Sequence, residues 1–317
     1  MSDASNNNGR AFEYITIITL KKTISNVRKV TTIENASYSA SKNAWDSISV
    51  SLQKCLSLSA EAATKKIFEL EPRILEQGSD VLTLQIQKDK KGEEGDVRDI
   101  LISRNEIRWE IGLSMKHNHF AVKHSRLSSK LDFGKSWYGV PCSQNYWKGV
   151  KPIFEYCQRE KEKNTAWNQL PDKQNDVYTP LLNAFIDEVK LAIESDQDVP
   201  KRMVEYLLGK YDFYKIISVD ASRLAQIMSF NLRGSLNLPG KTIKAKTLIP
   251  VSALPESILF MGIDPKHPNT VIMSMDKGWS FSFRIHNAST IVEPSLKFDI
   301  QVIGMPTTII TINCLWN

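Results

Sequence analysis

The stretch "VRDILISRNEIRWEIGLSMKHNH", Val97 to His119, decides how the chain is read. Two alternating apolar and polar segments flank "SRNE", Ser103 to Glu106, which is the pattern of a β-hairpin. Successive strand side chains point to opposite faces. Ile107, Trp109, Ile111, Leu113 and Met115 therefore form an apolar face, and Arg108, Glu110, Gly112, Ser114 and Lys116 a polar one. A turn at SRNE brings Ile100 and Ile102 against Trp109 and Ile107, and sets Asp99 opposite Glu110. An Asp, a Glu and a Lys then share one surface. Two carboxylates, Asp99 and Glu110, suit a hard divalent cation such as Mg²⁺. Such a cation activates water and neutralises charge on a phosphoryl oxygen. Lys116 is placed to orient the nucleophile or stabilise the transition state. Gly112 and Ser114 leave room for a phosphate backbone. Asp96 points the other way by strict alternation, unless a bulge re-aims it. The competing reading of this face is a solvated strand surface.

Working outward, "RAFEYITIITLKKTIS" from Arg10 places Ala11, Tyr14, Ile15 and Ile18 at helical spacing. One or two helices follow, ending at Pro72. "DVLTLQIQ", from Asp80, alternates as a strand, and "DKKGEEGD", from Asp89, is a charged loop. "FAVKHSRLSSKL", from Phe120, reads as a helix after the hairpin, capped by Asn118. The aromatic residues between Trp137 and Trp147 suit a core better than a stacking platform. "TPLLNAFIDEVKLAIES" is an amphipathic helix, and "PKRMVEYLLGKYDFYKIIS" a second that ends near Gly209. Beyond residue 240 the pattern is β: "KTLIPVSAL", "TVIMSMD", "GWSFSFRIHN", "FDIQVIG" and "TIITINCLW". The expected layout is a disordered tail (1–9), an α/β core (10–158), a helical segment (159–240) and a β-rich part (241–317).

Composition narrows the function classes. With 317 residues the chain can bury a sizeable core. No apolar run reaches the roughly 18 residues a membrane span needs. The polar opening "MSDASNNNGR" has no secretory pattern, so a cytoplasmic location and no membrane partner are expected. Cys55, Cys142, Cys157 and Cys314 are scattered without a C-x-x-C pair, against a disulfide framework or structural zinc. A net charge of +6 is compatible with a polyanionic partner. No nucleophile elbow, Walker loop or dinucleotide fingerprint occurs.

"GDVRDILI", then "WEIGLSMKHNHFAVKHSRLS" and the C-terminal "FSFRIHNASTIVEPSLKFDIQVIG", resemble type II restriction endonucleases of the HaeIII family. The resemblance implies a PD-(D/E)xK nuclease core, a mixed sheet flanked by helices. It also implies Mg²⁺-dependent cleavage of double-stranded DNA at the palindrome GGCC to blunt ends, with a cognate methyltransferase as functional partner. By the family motif, Lys116 is the lysine and Asp99 or Asp96 the first acid. The second acid is missing, because Ser114 stands two residues before Lys116. Glu110 is the first substitute, with Asp132 and Glu13 as others. A palindrome invites a homodimer, although a monomer could cut the strands in turn. A DNA-binding protein without catalysis is the alternative.

His117, His119 and His124 are spaced poorly for zinc. They suit phosphate contacts, as do Lys123, Ser125 and Arg126. In "SFSFRIHNAS", Arg284, His286 and Asn287 present donors from one side. Arginine to guanine is the commonest specific base contact. These three are expected to read bases, unless Arg284 pairs with Glu293 or Asp299 instead.

Overall fold

The computed structural model describes residues 3–88, 95–120 and 122–317, with side chains from residue 6. Most of the charged loop from Asp89, residues 89–94, lies outside them, as do Met1 and Ser2 of the expected tail and Ala121. In chain order the elements are α1 (Asp3–Ile24), β1 (Val30–Ile33), α2 (Ala36–Ser47), α3 (Val50–Leu70), β2 (Leu82–Ile86), β3 (Ile100–Arg104), β4 (Trp109–His117) and β5 (Lys123–Ser128). Then come α4 (Phe133–Tyr138), α5 (Gln144–Glu162), α6 (Thr179–Ser195), α7 (Val199–Leu208), β6 (Phe213–Val219) and β7 (Leu224–Phe230). The chain ends with β8 (Ile258–Ile263), β9 (Thr270–Met275), β10 (Ser280–His286), β11 (Ser295–Gly304) and β12 (Thr311–Leu315).

Two compact units result, each drawn from separate stretches of chain. The first comprises residues 1–120, 209–252 and 307–317. Its seven-stranded mixed sheet has the order β1-β2-β3-β4-β6-β7-β12, with β1/β2 and β4/β6 parallel. Helices α1 and α3 pack on it, burying Phe12, Leu20, Leu56 and Ile67 with Leu84, Ile111 and Ile216. Asn35 caps α2 through Tyr38 N and also donates to the Ile86 carbonyl, tying that helix to the end of β2. This is the mixed sheet flanked by helices that the nuclease class requires. The second unit comprises residues 121–208 and 253–306. Its sheet has the order β5-β11-β10-β9-β8, antiparallel throughout. Its core is aromatic: Phe133, Trp137, Tyr146, Phe185, Phe283 and Phe298.

Several expectations are corrected. Helix α1 runs back to Asp3, into the stretch read as a tail. "FAVKHSRLSSKL" is not a helix: β5 forms there because alternate residues Ser125 and Leu127 are buried and pair along β11. The segment 159–240 is not wholly helical, since β6 and β7 lie inside it and belong to the first sheet. Phe213 to Ile217 is a continuously buried run, which periodicity alone cannot assign to helix or strand. "KTLIPVSAL" forms no strand. Pro250 has no N–H to give a ladder, and Asn231 Nδ2 donates to the Ile249 and Pro250 carbonyls instead. The C-terminal part is also split, because β12 returns to the first sheet beside β7.

One buried carboxyl carries a stability prediction. Glu71 Oε1 accepts from Tyr214 Oη at 2.7 Å and from Asn237 N at 2.5 Å. Burial nevertheless pushes its pKa up to about 7. The folded state then holds a proton that the unfolded chain releases near the ordinary value. Stability should therefore fall as pH rises between 4.5 and about 7, by up to ~1.4 kcal/mol per pH unit. Urea unfolding of Glu71→Gln should lack this slope. A slope equal to that of the parent would contradict the assignment.

Candidate active site

The observed hairpin turn is Asn105–Arg108, not Ser103–Glu106. A 3₁₀ turn over Asn105–Ile107 is closed by Arg108 in the left-handed region at φ 50°. The register follows from it: Ile100 pairs with Leu113, Ile102 with Ile111 and Ser103 with Glu110. An even shift keeps each residue on its face but changes every partner. Trp109, Ile111, Leu113 and Met115 are buried as expected, while Ile107 is left in the turn. Asp99 comes to face Ser114, not Glu110, and its N–H extends the ladder to the Leu113 carbonyl at 2.8 Å.

Three donors converge on one oxygen of Asp99. Oδ2 accepts from Met115 N at 2.6 Å, Lys116 Nζ at 3.1 Å and Ser114 Oγ at 3.2 Å. Among the described residues none donates to Oδ1, which leaves one carboxylate edge for a hard cation. Burial disfavours the Lys116 ammonium, but the charge and hydrogen bond of Asp99 and the charge of Glu13 outweigh it and raise its pKa. Glu13 comes from α1, where its Oε2 accepts from Ser41 Oγ at 3.0 Å. It lines a groove of about 180 Å³ with Arg10, Ala36, Ser37, Ala40 and Ser41.

Asp96 and Glu110 are drawn into a separate cluster by Arg98. Arg98 Nε and Nη2 donate to Asp96 at 2.8 Å each, and Nη1 donates to Glu110 Oε1 at 2.8 Å. Gln87 Nε2 adds a bond to Asp96 at 2.9 Å. Burial works against the Asp96 carboxylate, yet the hydrogen bonds from Arg98 and Gln87 hold its pKa below the usual range. The Arg98 guanidinium lies 4.1 Å from the centre of the Tyr211 ring. Its stem fills the space over Gly112, where an added Cβ would lie 2.0 Å from Arg98 Cδ. Gly112 thus makes room for Arg98 and not, as expected, for a phosphate backbone. Gly112→Ala should cost about 1–3 kcal/mol by displacing Arg98. A urea midpoint equal to that of the parent would refute this.

Sequence reasoning missed Lys215. It stands opposite Ser114 in the parallel β4/β6 pair, is 3% exposed, and donates to the Phe120 carbonyl at 2.7 Å. Burial and the charge of Lys116 push its pKa down to about 7, against the pull of Asp99. A lone lysine inside "FYKIISV" was the available signal. Asp132 is the N-cap of α4, accepting from Lys135 N and Cys142 N, and lies in the second unit.

An acid just before β3 thus meets a serine and a lysine of β4. The sequence model of the HaeIII restriction endonuclease family matches residues 9–306. The chain belongs to this family. It is 50% identical to the type II restriction enzyme HaeIII of Haemophilus aegyptius over 317 residues, which is 100% of this chain and 99% of that protein. No solved structure matches. Family membership makes the protein a type II restriction endonuclease.

The residues expected to touch DNA are distributed as follows in this HaeIII-family enzyme. His117 turns away from Lys116, and its Nε2 meets Asp220 Oδ2 at 2.7 Å. Asn118, at φ 51°, joins the same carboxylate, and His119 follows the strand end. Because residues 123–128 form a strand, their cluster divides. Lys123 and Ser125 turn inward to Tyr206, with Lys123 Nζ 3.5 Å from its ring centre, while His124 and Arg126 face outward. Arg126 pairs with Glu293 at 3.1 Å. Arg284 takes its expected alternative partner, Asp299, at 3.0 Å. His124 approaches the same carboxylate at 3.3 Å. Asn287 is held within its loop, donating to the Ser289 and Ile291 carbonyls and accepting from Glu293 N.

Proposed function

We propose that the enzyme hydrolyses phosphodiester bonds of double-stranded DNA at GGCC, leaving blunt ends, with Mg²⁺ as cofactor. The observation that supports hydrolysis at a metal is the convergence of Ser114, Met115 and Lys116 on Asp99 Oδ2, beside the charge of Glu13, while GGCC and the blunt ends rest on the family resemblance. Asp99 and Glu13 would hold the cation. Asp99 offers an unengaged oxygen among the described residues, and hard oxygen donors are what Mg²⁺ takes. Glu110, occupied by Arg98 and opposite Ser103, is replaced in this role by Glu13. When bound, the metal lowers the pKa of its water and neutralises charge on the phosphoryl oxygen. Ser114 stands where the family motif has an acid, and its hydroxyl fixes the Asp99 carboxylate. Lys116, anchored on Asp99, donates from Nζ to the attacking water or to the oxygen gaining charge in the transition state.

The palindrome suits a homodimer in which each copy cuts one strand. A methyltransferase that modifies the same sequence is the functional partner. The enzyme acts in the cytoplasm, where its DNA is; among the described residues no helix is long and apolar enough to cross a membrane. A plasmid digest with and without Mg²⁺ tests the reading. Discrete fragments with ends at GGCC are expected with the metal and intact plasmid without it. Intact plasmid in both, or fragments ending elsewhere, would contradict it.

A further inference from the structure

The five-stranded sheet has two unlike faces. Phe281, Phe283, Ile285, Leu296 and Phe298 are buried on one, against Trp137 and Phe185. The other is polar, and the register arranges it in rows. Arg126 pairs with Lys297, and Lys297 with His286, across β5, β11 and β10. The next row is His124, Asp299 and Arg284. In the second row an acid stands between two basic groups, a neutralising arrangement. The first row has no acid: Arg126 and Lys297 stand side by side as like charges, and His286, whose pKa burial and the charge of Arg284 lower, completes it. Glu293 pairs with Arg126 at one end, and Asp299 of the next row acts on Lys297 only at longer range. Like charges directly opposite one another on neighbouring strands repel. Lys297, at the centre, is half-buried. Burial and the charge of Arg126 lower its pKa, against the pull of Asp299. The folded protein therefore keeps a row that works against its own stability, and such local conflicts are expected at functional surfaces.

A polyanion relieves this conflict. The row crosses two strand spacings, roughly 10 Å, which is longer than a single phosphate group. Resting on the reading that the enzyme acts on double-stranded DNA, we infer that the row Arg126–Lys297–His286 is a contact for the DNA backbone, with Lys297 as its central phosphate-binding residue. The contact positions DNA without reading sequence.

Lys297→Met and Lys297→Gln should both show this in Ca²⁺, which allows binding without cutting. Their affinity should fall by the same factor, about 5- to 20-fold, for duplexes with and without GGCC. The slope of log affinity against log salt should shrink by about 1. Lys297→Arg should keep the affinity of the parent, and the urea midpoint of Lys297→Met should not drop. Unchanged affinity and slope in both neutral variants would overturn the inference, as would a loss confined to the GGCC duplex. The parent enzyme, tested for binding in Ca²⁺ and for cutting in Mg²⁺, separates the two levels. If it neither binds nor cuts DNA, the functional reading fails and this inference with it. If it does both while the neutral variants bind equally well, only the role of Lys297 fails.

Discussion

Lys116→Ala should reduce the single-turnover cleavage rate by about 10²–10³-fold or more, equivalent to roughly 3–4 kcal/mol of transition-state stabilisation. The ammonium is held 3.1 Å from Asp99, and that carboxylate, with Glu13, keeps it charged. In the proposed mechanism its removal takes away a charged donor beside Asp99. The Asp99 carboxylate itself should stay in place, since Ser114 Oγ and Met115 N still hold it. DNA binding in Ca²⁺ should therefore persist. Quenched-flow cleavage and a gel shift on the same preparation read both quantities. Cleavage at the rate of the parent would remove Lys116 from the mechanism. Loss of binding together with cleavage would recast it as a binding residue.

The largest stability effect is expected at Arg104. Its Nε and Nη2 grip both oxygens of Asp80 at 2.7 Å, and Nη1 reaches Glu76 at 3.3 Å. Arg28 joins from the chain between α1 and β1, 2.7 Å from Asp80. All four side chains are under one-tenth exposed. A buried pair adds little over an apolar substitute, but deleting one partner strands the other charge. Arg104→Met should thus cost about 3–5 kcal/mol, read as a lower urea midpoint at pH 7. The hydrogen bond from Arg104 is the largest cause that lowers the pKa of Asp80 to about 2. A depressed acid contributes stability above its unfolded value, which is lost as pH falls through its folded value. The parent should therefore lose stability between about pH 4 and pH 2, by roughly 2 kcal/mol from this group, and Arg104→Met should lose much less there. Equal midpoints at pH 7 would show the network to be dispensable.

Both sites show what was legible in the sequence. Alternation placed Trp109, Ile111, Leu113 and Met115 on the buried face, and Ser114 and Lys116 on the other. It could not place the turn, because "SRNEIR" allows more than one four-residue connection. The left-handed Arg108 that settles it carries no glycine to announce it. The observed register therefore lies four residues further along β4 than the expected one, and Asp99 meets Ser114 in place of Glu110. Arg98 was legible as a charge but not as a clamp, since its partners come from before β3 and from β4. A strand at β5 is not legible because Phe120, Val122 and Leu127 do not decide between the two periods, and its pairing partner is more than 160 residues away in sequence. Helices α6 and α7 were legible because each carries its amphipathic pattern within itself. Glu13 illustrates the limit: an acid on a helix face has no sequence mark that ties it to a lysine on a distant strand.

The proposed mechanism makes Asp99, not Asp96, the first acid, and leaves Glu110 out of the ligand set. Single-turnover cleavage by Asp99→Asn, with Glu110→Gln run beside it, tests this most directly. Asp99→Asn should lose at least about 10³-fold in rate at every Mg²⁺ concentration, while Glu110→Gln stays within about tenfold of the parent. Rapid cleavage by Asp99→Asn, or an equal collapse in Glu110→Gln with its fold intact, would contradict the account.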